Sequence, residues 1–433
     1  MDALFSRDSG ILQERLPCPL CLSSKHETLL NLDCGNMDRS SLYPTVRLKV
    51  CSSCGHAFNT VLPGEISGLD SYYDFEYATV NLSSLNTQGD LPGSNGIFTR
   101  NRYRSLYDFL QPYIDPQDKI LDVGCALGGF LNFLKRRGFQ HLCGVDMSVN
   151  YVERARATGS SFRVEIGSAQ SLPFGDRTFD VVVMEQVMEH LIDPEVAVRE
   201  ADRVLKENGL LCVGVPDASR YRNFPFFDFY WLLLREHVQH FDREHLTHLA
   251  ARAGFKSICH GQDTYAIMGE SMVMPSLKVL FRKSNHIIGA DRGNPRDMRL
   301  RQQLLEYVVE ESAIRETRIL QFDELTKSRL PVYAWGIGRE FLYLYESTGL
   351  KHCNIAGLID LNPHKQMHGT VGGIRISSPR LLGKSEPNSV LAITAIAHSK
   401  SISRSLGELY FPGKILSVNN RHSTRQDVPK YGG

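Results

Sequence analysis

The feature that most constrains the fold is a regular alternation of short apolar runs and helix-like segments in the middle of the chain. The apolar runs span residues 119–124, 142–146, 163–166, 179–185 and 209–215. Continuous apolar strands that alternate with amphipathic helices are typical of a parallel sheet covered by helices on both faces. The pattern therefore predicts an α/β fold with a Rossmann-like core.

Two further blocks flank this core. We expect three domains, at residues 12–75, 96–285 and 295–425. The third begins with a helix predicted over 298–330, and a second alternation of apolar and helical segments then predicts a second Rossmann-like α/β domain. Polar, glycine-containing stretches at 81–95 and 284–295 are expected to be linkers, and the polar tail 419–433 is expected to be loose.

The charge balance and the absence of long apolar runs exclude several classes of partner. Lys plus Arg number 49 and Asp plus Glu 48, so no broad positive field attracts nucleic acid or anionic lipid. No run approaches the roughly 20 apolar residues of a membrane helix, and the N-terminus does not resemble a secretory signal. We therefore expect a cytoplasmic protein without nucleic-acid or membrane partners, whose 10 cysteines are thiols or metal ligands.

Two Cys-x-x-Cys pairs predict a metal site in the first block. The pairs are Cys18 with Cys21 and Cys51 with Cys54. Four thiolates can close a tetrahedral zinc shell, and such a closed shell has no open position for catalysis. The pattern therefore predicts structural Zn²⁺, with redox-active or unligated thiols as the alternative. Cys34, between the pairs, is not expected to be a ligand.

A glycine-rich loop follows the first predicted strand of the core and opens a helix. Gly124 and Gly128 allow a tight turn and close backbone approach to a ligand, which alone would also suit a dinucleotide. Two acidic residues favour a different ligand. Asp122 precedes the glycines, where it can pair with an ammonium group, and Asp146 ends the next strand, where it can accept hydrogen bonds from ribose hydroxyls.

The core resembles class I S-adenosylmethionine-dependent methyltransferases. The resemblance covers about residues 103–255 and rests on the motifs LDVGCALGGFL, GVDMS, SAQSLPF and VVMEQVMEHLIDP. It implies that Asp122 and Gly124 flank the methionine moiety of the cofactor and that Asp146 binds its ribose. The same resemblance places further residues around the cofactor, namely Ser168 and Ala169 beside adenine and Glu185 and Gln186 after the fourth strand. Two departures from the family pattern are Ala126, in place of the usual middle glycine, and Ser168, in place of a frequent Asp.

The order of the blocks narrows the resemblance. A two-pair cysteine block, a methyltransferase core, the Glu236-His237-x-x-x-Phe241 motif and a second Rossmann-like block together resemble sugar C-methyltransferases. Such enzymes methylate a ring carbon of nucleotide-linked keto-deoxysugars. Ligands of open parallel sheets bind beyond the carboxyl ends of the strands, so Glu236, His237 and His190 are expected to overhang the donor methyl group. A tyrosine found in many sugar-active members is Leu234 here, with Tyr230 one helical turn earlier.

The acceptor chemistry assigns roles to these residues. Carbon becomes nucleophilic only after a proton beside a carbonyl has been removed, and histidine titrates in the range that suits a base. We hypothesise that His237 removes the proton, Glu236 orients or polarises the site, and His190 hydrogen-bonds the developing oxyanion. The neighbouring His240, His245 and His248 are expected to be mostly surface or cap residues, and the aromatic segment 224–231 is more typical of core than of a substrate wall.

The third block and the overall function leave alternatives open. Gly336-x-Gly338 lacks the third glycine of a dinucleotide fingerprint, although Asp360 follows at a distance that would suit ribose binding. The resemblance implies that this block helps to hold the nucleotide-linked acceptor, and a purely structural role is the alternative. A small-molecule O- or N-methyltransferase and a non-catalytic zinc and Rossmann scaffold protein also fit the pattern. The acceptor's identity, the stereochemistry and the oligomeric state stay undetermined.

Overall fold

The structure is a computed structural model. It describes residues 16–37, 40–77, 91–157, 162–224, 232–268, 272–284, 297–395, 398–409 and 411–418. Several sequence-based expectations fall on residues outside these ranges. They are most of both predicted linkers, the aromatic residues 225–231 including Tyr230, and the tail 419–433.

The first block is a small antiparallel sheet followed by a short helix. Its elements are β1 (His26–Asp33), β2 (Thr45–Cys51), β3 (Ala57–Asn59), α1 (Pro63–Ser71) and a π-helical turn at Tyr72–Glu76. The sheet is completed by a strand from the middle of the chain, β9 (Gln239–His240), which pairs antiparallel with β3. The cysteine-containing block is therefore joined by backbone hydrogen bonds to the segment that carries Glu236 and His237.

The middle block forms a sheet of seven strands. Its elements are α2 (Ile97–Leu110), β4 (Lys119–Val123), α3 (Gly129–Lys135), β5 (His141–Asp146), α4 (Val149–Ala157), β6 (Arg163–Ile166), β7 (Phe179–Glu185), α5 (Pro194–Val204), β8 (Leu205–Pro216), α6 (Arg243–Arg252), β10 (Phe255–Met268) and β11 (Met272–Lys283). The strand order is β10-β11-β8-β7-β4-β5-β6.

The apolar runs predicted a parallel sheet, and this prediction is correct for part of the seven-stranded sheet. Strands β8, β7, β4, β5 and β6 are all parallel, but β11 runs antiparallel to β8 and β10 antiparallel to β11. The difference arises because β10 and β11 are joined only by residues 269–271, and parallel strands need a crossover of a dozen or more residues. The fold is therefore α/β with a mixed sheet.

The third block has its own sheet behind a long helix. Its elements are α7 (Arg299–Ser328), β12 (Val332–Trp335), α8 (Arg339–Ser347), β13 (Ile355–Ile359), α9 (Pro363–His368), β14 (Thr370–Val371), β15 (Ile374–Ser377), β16 (Val390–Ile393), α10 (Ser399–Leu409) and β17 (Lys414–Ser417). The strand order is β14-β15-β13-β12-β16-β17, and only β14 pairs antiparallel.

The three blocks share apolar cores. One cluster combines Leu48 of β2, Tyr307 and Phe322 of α7, and Phe341 of α8. Burial of such side chains stabilises the folded state by roughly 1.5–3 kcal/mol each, so the contact between the outer blocks is a substantial part of the fold. Among the described residues, no helix has both the length and the apolar character needed to cross a bilayer.

Two of the three histidines expected at the surface or in caps are buried instead. His240 and His245 are both 0% exposed, whereas His248 is partly exposed. His245 lies in the first turn of α6, where its Nδ1 is 2.7 Å from Oδ1 of the N-cap residue Asp242 and its Nε2 is 2.9 Å from the carbonyl oxygen of Cys54. The helical spacing did not indicate burial because the first block, which covers this turn, is distant in sequence.

Candidate functional site

A cavity of about 500 Å³ opens beyond the carboxyl ends of β4, β5 and β7. This size lies within the range of small-molecule sites. Nine of the residues predicted to bind cofactor or acceptor line it, namely Gly124, Asp146, Ser168, Ala169, Glu185, Gln186, His190, Glu236 and His237. Two others, Asp122 and Gly128, lie outside the lining residues.

The loop after β4 is held in a tight conformation against Asp146. Gly124 has φ +75°, and an added Cβ would lie 2.7 Å from Cγ2 of Val187, so only glycine fits there. Ala126, the departure from the family pattern, adopts the left-handed φ of +45°, and its backbone N–H donates to Oδ2 of Asp146 at 2.8 Å. The other carboxylate oxygen of Asp146 accepts from the N–H of Ser148 at 2.9 Å. The loop and the second acidic residue are thus fixed relative to each other.

Asp122 and Gly128 support this loop from behind. Asp122 is buried, and burial, followed by the neighbouring Asp146 and Glu185 carboxylates, raises its pKa to about 8. Gly128 is the N-cap of α3 with φ +73°, and an added Cβ would lie 2.9 Å from the ring of Phe162. With this pKa Asp122 is mostly protonated near pH 7, and Gly128 allows α3 to begin against Phe162.

Glu185 is a half-buried acid on the cavity wall, and its two carboxylate oxygens are buried. Neither of its carboxylate oxygens has a hydrogen-bond partner among the described residues, and its side chain occupies the space that a Cβ at Gly214 would fill. Burial raises the pKa of Glu185, while the guanidinium of Arg102 acts in the opposite direction. A buried acid without a full partner fits a site for a cationic ligand.

Arg102 is a cavity residue that the sequence analysis missed. It lies on α2, lines the cavity, and its guanidinium carbon is 5.6 Å from the ring centroid of Tyr265. Its Nε has no hydrogen-bond partner among the described residues. A single arginine on an amphipathic helix carries no distinguishing pattern, so only the packing of α2 against the sheet reveals its position.

Two imidazoles meet in the same cavity. The rings of His190 and His237 are 5.1 Å apart between centroids, in an edge-to-face arrangement. Nδ1 of His190 lies 2.8 Å from the hydroxyl of Tyr73 and 3.0 Å from the carbonyl oxygen of Glu236. Burial lowers the pKa of both imidazoles, so both are neutral near pH 7 and can accept a proton.

The first block fixes the backbone that carries Glu236 and His237. The side-chain amide of Asn59 donates to the carbonyl oxygen of His237 at 2.7 Å. The backbone N–H of Asn59 donates to the carbonyl oxygen of Val238 at 2.8 Å. The hydroxyl of Tyr72 donates to Oε1 of Glu236 at 2.8 Å. The Glu236-His237 pair is therefore positioned by residues more than 150 positions earlier in the chain.

The third block contributes Arg339 to the same cavity. Its guanidinium lies 3.3 Å from Oε1 of Glu236 and donates to the hydroxyl of Tyr72 at 3.2 Å. Burial alone would raise the pKa of Glu236, but Arg339 and the hydrogen bond from Tyr72 outweigh it and lower this pKa. The sequence analysis noted the neighbouring glycines but missed this arginine, because its position depends on how α8 packs on the other blocks.

Asp360 is engaged within the third block. Its Oδ2 accepts from the N–H of Ile337 at 3.0 Å and from Nζ of Lys365 at 2.9 Å, and its Oδ1 accepts from the N–H of Asn362. The carboxylate thus ties the glycine-containing loop to α9. This arrangement favours a structural role over ribose binding.

The cysteine pairs converge in the first block. The sulfur atoms of Cys18 and Cys54 are 3.7 Å apart, those of Cys21 and Cys51 are 3.4 Å apart, and all lie within 4.8 Å of one another. A tetrahedral zinc site with Zn–S bonds of about 2.3 Å requires S–S separations of about 3.8 Å. The four sulfurs therefore fit a Zn²⁺ ion, and Cys34 lies outside the cluster.

The mixed α/β sheet, the glycine loop after its first strand and the acids at adjacent strand ends define the fold of class I S-adenosylmethionine-dependent methyltransferases. Residues 97–260 match the family described as "Methyltransferase domain". This central part of the chain is therefore a methyltransferase domain. The match covers less than half of the chain and leaves both outer blocks outside it.

Similar proteins agree with this assignment. The chain is 30% identical over 184 residues to a probable S-adenosylmethionine-dependent methyltransferase of Mycobacterium tuberculosis, covering 42% of this chain and 63% of that protein. It is 33% identical over 116 residues to a ubiquinone/menaquinone biosynthesis C-methyltransferase of Ruegeria, covering 25% of this chain and 46% of that protein. The chain thus spans about half the length of the curated relatives it matches.

Among solved structures, the chain is similar to an S-adenosylmethionine-dependent methyltransferase from Methanosarcina mazei. The identity is 20%, the TM-score is 0.36, and the similarity covers 42% of this chain and 99% of that one. It is also similar to a [4+2]-cyclase, with 19% identity, a TM-score of 0.38, and coverage of 50% and 96%.

Replacing Asp146 with alanine is expected to weaken binding of S-adenosylmethionine by about tenfold or more, since a charge-assisted hydrogen bond contributes roughly 1.5–3 kcal/mol. The loop loses the anchor for Ala126 as well. Isothermal titration calorimetry measures the change, with Asp118→Ala, which removes an acid just before β4 that does not line the cavity, as the matched control. Unchanged affinity in Asp146→Ala would show that the donor binds elsewhere.

Proposed function

We propose that this protein is an S-adenosylmethionine-dependent C-methyltransferase of a small keto acceptor, with a nucleotide-linked keto-deoxysugar as the preferred class. One observation carries the proposal: the glycine loop and the His190–His237 pair line the same cavity. The donor end carries acids for a cationic ligand, and the acceptor end carries neutral bases. This is the combination that methylation of carbon requires.

The donor end fits S-adenosylmethionine, which supplies an electrophilic methyl group on a sulfonium. Asp146, fixed by two backbone N–H groups, would accept hydrogen bonds from the ribose hydroxyls. Glu185 on the cavity wall would pair with the ammonium group, whose charge would favour ionisation of Glu185 and of Asp122 behind the loop. Arg102 would pair with the carboxylate of the methionine moiety. Binding such a zwitterion would satisfy the buried polar atoms of Glu185 and Arg102 that have no partner within the described residues.

The acceptor end would generate the carbon nucleophile. His237, which lines the cavity as a neutral imidazole, would remove the proton beside the acceptor's carbonyl group. For His190 to stabilise the developing oxyanion, its Nδ1 would accept from the hydroxyl of Tyr73, and its Nε2–H would donate to the oxyanion. Glu236 would keep Arg339 and Tyr72 in place around the acceptor.

The cysteine cluster would hold a structural Zn²⁺ ion through Cys18, Cys21, Cys51 and Cys54. All four positions of a tetrahedral shell would be filled by sulfur, so the ion takes no part in the chemistry. Its place beside the β3 and β9 pairing supports a role in holding the acceptor wall.

The deciding experiment combines the purified protein with methyl-labelled S-adenosylmethionine and a panel of nucleotide-linked keto sugars. The proposal requires S-adenosylhomocysteine formation and label in a carbon-bound methyl group. Label on oxygen or nitrogen would instead support a small-molecule O- or N-methyltransferase. Absence of S-adenosylhomocysteine with every acceptor, despite donor binding, would support a scaffold protein.

Replacing Arg339 with alanine is expected to raise the KM for an anionic acceptor by about tenfold, since a hydrogen bond to a charged group contributes roughly 1.5–3 kcal/mol. Arg339 lines the cavity from the third block, and its cationic group suits a phosphate or other anionic part of the acceptor. Steady-state kinetics at saturating donor measure the effect. Arg199→Ala, which removes an exposed arginine of α5, is the control, and an unchanged KM in Arg339→Ala would exclude acceptor contact.

A further inference from the structure

A third buried group lies beside the two imidazoles. Glu189 belongs to a short 3₁₀ turn at Met188–His190 and is 1% exposed. One carboxylate oxygen of Glu189 and one ring nitrogen each of His190 and His237 lie within 4.8 Å of one another. Glu189 does not line the cavity, and its Oε1 lies 3.9 Å from Nε2 of His190.

Glu189 and Nδ1 of His237 both have unsatisfied hydrogen-bonding capacity. Both carboxylate oxygens of Glu189 and Nδ1 of His237 are buried without a hydrogen-bond partner among the described residues. A buried polar group without a partner costs roughly 1–3 kcal/mol, so a pairing between these atoms would remove two such costs. Catalytic hydrogen bonds are commonly long until the substrate is bound, and one water can also bridge such a gap.

We propose that Glu189 is the carboxylate that positions His237. It accepts a hydrogen bond from Nδ1–H of His237, which leaves the lone pair of the imidazole on Nε2. It also stabilises the imidazolium that forms when Nε2 takes up a proton. This inference deepens the proposed carbon methylation and rests on it for the source of the proton. The acceptor's C–H bond breaks and its proton moves to Nε2 of His237. The electron pair left on carbon forms the bond to the methyl group, and the sulfur keeps the electrons of the broken S–C bond.

Burial favours the neutral form of both groups. Burial raises the pKa of Glu189 to about 8 and lowers the pKa of His237 well below its usual value. A buried carboxylate on Glu189 and a buried imidazolium on His237 are each unfavourable alone, and the two opposite charges side by side would stabilise each other. The other titratable groups that interact with Glu189 or with the imidazole pair are Tyr73, Glu185, Arg102, Tyr221, Tyr265, Glu236 and His240.

The test compares wild type with Glu189→Gln in the full-length, metal-loaded protein without any acceptor. Side-chain ¹⁵N NMR of labelled histidine follows protonation of His237, assigned with His237→Asn. Loss of the carboxylate should lower the pH midpoint of His237 by about one unit or more, since an opposite charge within roughly 4–6 Å shifts a pKa by 1–3 units. Glu311→Gln, a buried glutamate of α7 away from the cavity, should leave the midpoint unchanged.

A measurement on wild type keeps the test independent of the variant's folding. The ¹³C resonance of the Glu189 carboxyl should titrate together with the His237 imidazole. An unchanged His237 midpoint in Glu189→Gln, or independent titration of the two groups in wild type, would overturn the inference. Binding of added Mn²⁺ or Zn²⁺ by this three-residue cluster, lost in Glu189→Gln, would also overturn it, because a metal on Nδ1 replaces the proposed hydrogen bond.

A kinetic readout separates this inference from the proposed function. With an active acceptor, Glu189→Gln should reduce kcat by about 10²-fold with little change in KM, the lower end of what general acid–base catalysis contributes. A coupled titration without turnover on any keto acceptor would support the pairing and refute C-methylation. Turnover with an unchanged kcat in Glu189→Gln would refute the pairing and leave C-methylation standing.

Discussion

Replacement of His237 by asparagine is expected to lower kcat by about 10² to 10⁴-fold, the usual contribution of a general base. His237 lines the cavity as a neutral imidazole, and asparagine keeps a similar size but cannot take the proton. The affinity for S-adenosylmethionine should stay within a factor of about two, since His237 is not among the residues assigned to the donor. Steady-state kinetics and calorimetry on the same preparation measure both quantities.

A matched control for this variant is His248→Asn. His248 lies on α6, is partly exposed, and does not line the cavity, so its replacement should leave kcat unchanged. Exchange of the acceptor's proton with deuterated solvent gives a second readout, because only the deprotonation step is slowed in His237→Asn. Full exchange and full turnover in this variant would assign the base to another residue.

Replacement of Cys54 by serine is expected to remove the metal, lower the free energy of unfolding and abolish turnover. Structural zinc binds with roughly 10–16 kcal/mol of apparent free energy, and that binding is coupled to folding. The carbonyl oxygen of Cys54 also lies 2.9 Å from Nε2 of His245 on α6. Loss of order around Cys54 should therefore loosen the pairing of β3 with β9 and displace Glu236 and His237.

Three measurements distinguish this effect from general misfolding. Metal content by atomic emission should fall, the unfolding temperature of the first block should drop, and S-adenosylmethionine should still bind. Cys34→Ser is the matched control, because Cys34 lies in the same block but outside the sulfur cluster. Full metal content or full turnover in Cys54→Ser would contradict a structural zinc site.

The sequence predicted those parts of the fold that depend on local pattern. The apolar runs of β4, β5, β6 and β7 predicted their strands to within a residue, because strands buried on both faces are continuously apolar. The antiparallel β10 and β11 were missed, since no helix-like segment separates them. Neighbouring parallel strands end at the same edge of a sheet, so the gathering of Gly124, Asp146 and Glu185 followed from their order along the chain.

The rest of the site depends on contacts between distant segments. Tyr73, Arg102 and Arg339 reach the cavity from three helical segments, and no spacing rule links them to the core motifs. The burial of Glu189 could not be predicted for the same reason. Glu189 adjoins His190 in sequence, but His237, which packs on His190, comes from a distant segment. Tertiary packing, not local propensity, decides these positions.

The cavity's two walls have different origins along the chain, and this has an evolutionary consequence. The cavity residues to which we assign the methyl donor come from one continuous domain, whereas Tyr73, His237 and Arg339 come from three separate blocks. Under the proposed function, recombination or drift in either terminal block would alter acceptor selectivity while the donor-binding residues are inherited intact. Homologues that share only the central domain would then keep the cofactor and differ in what they modify.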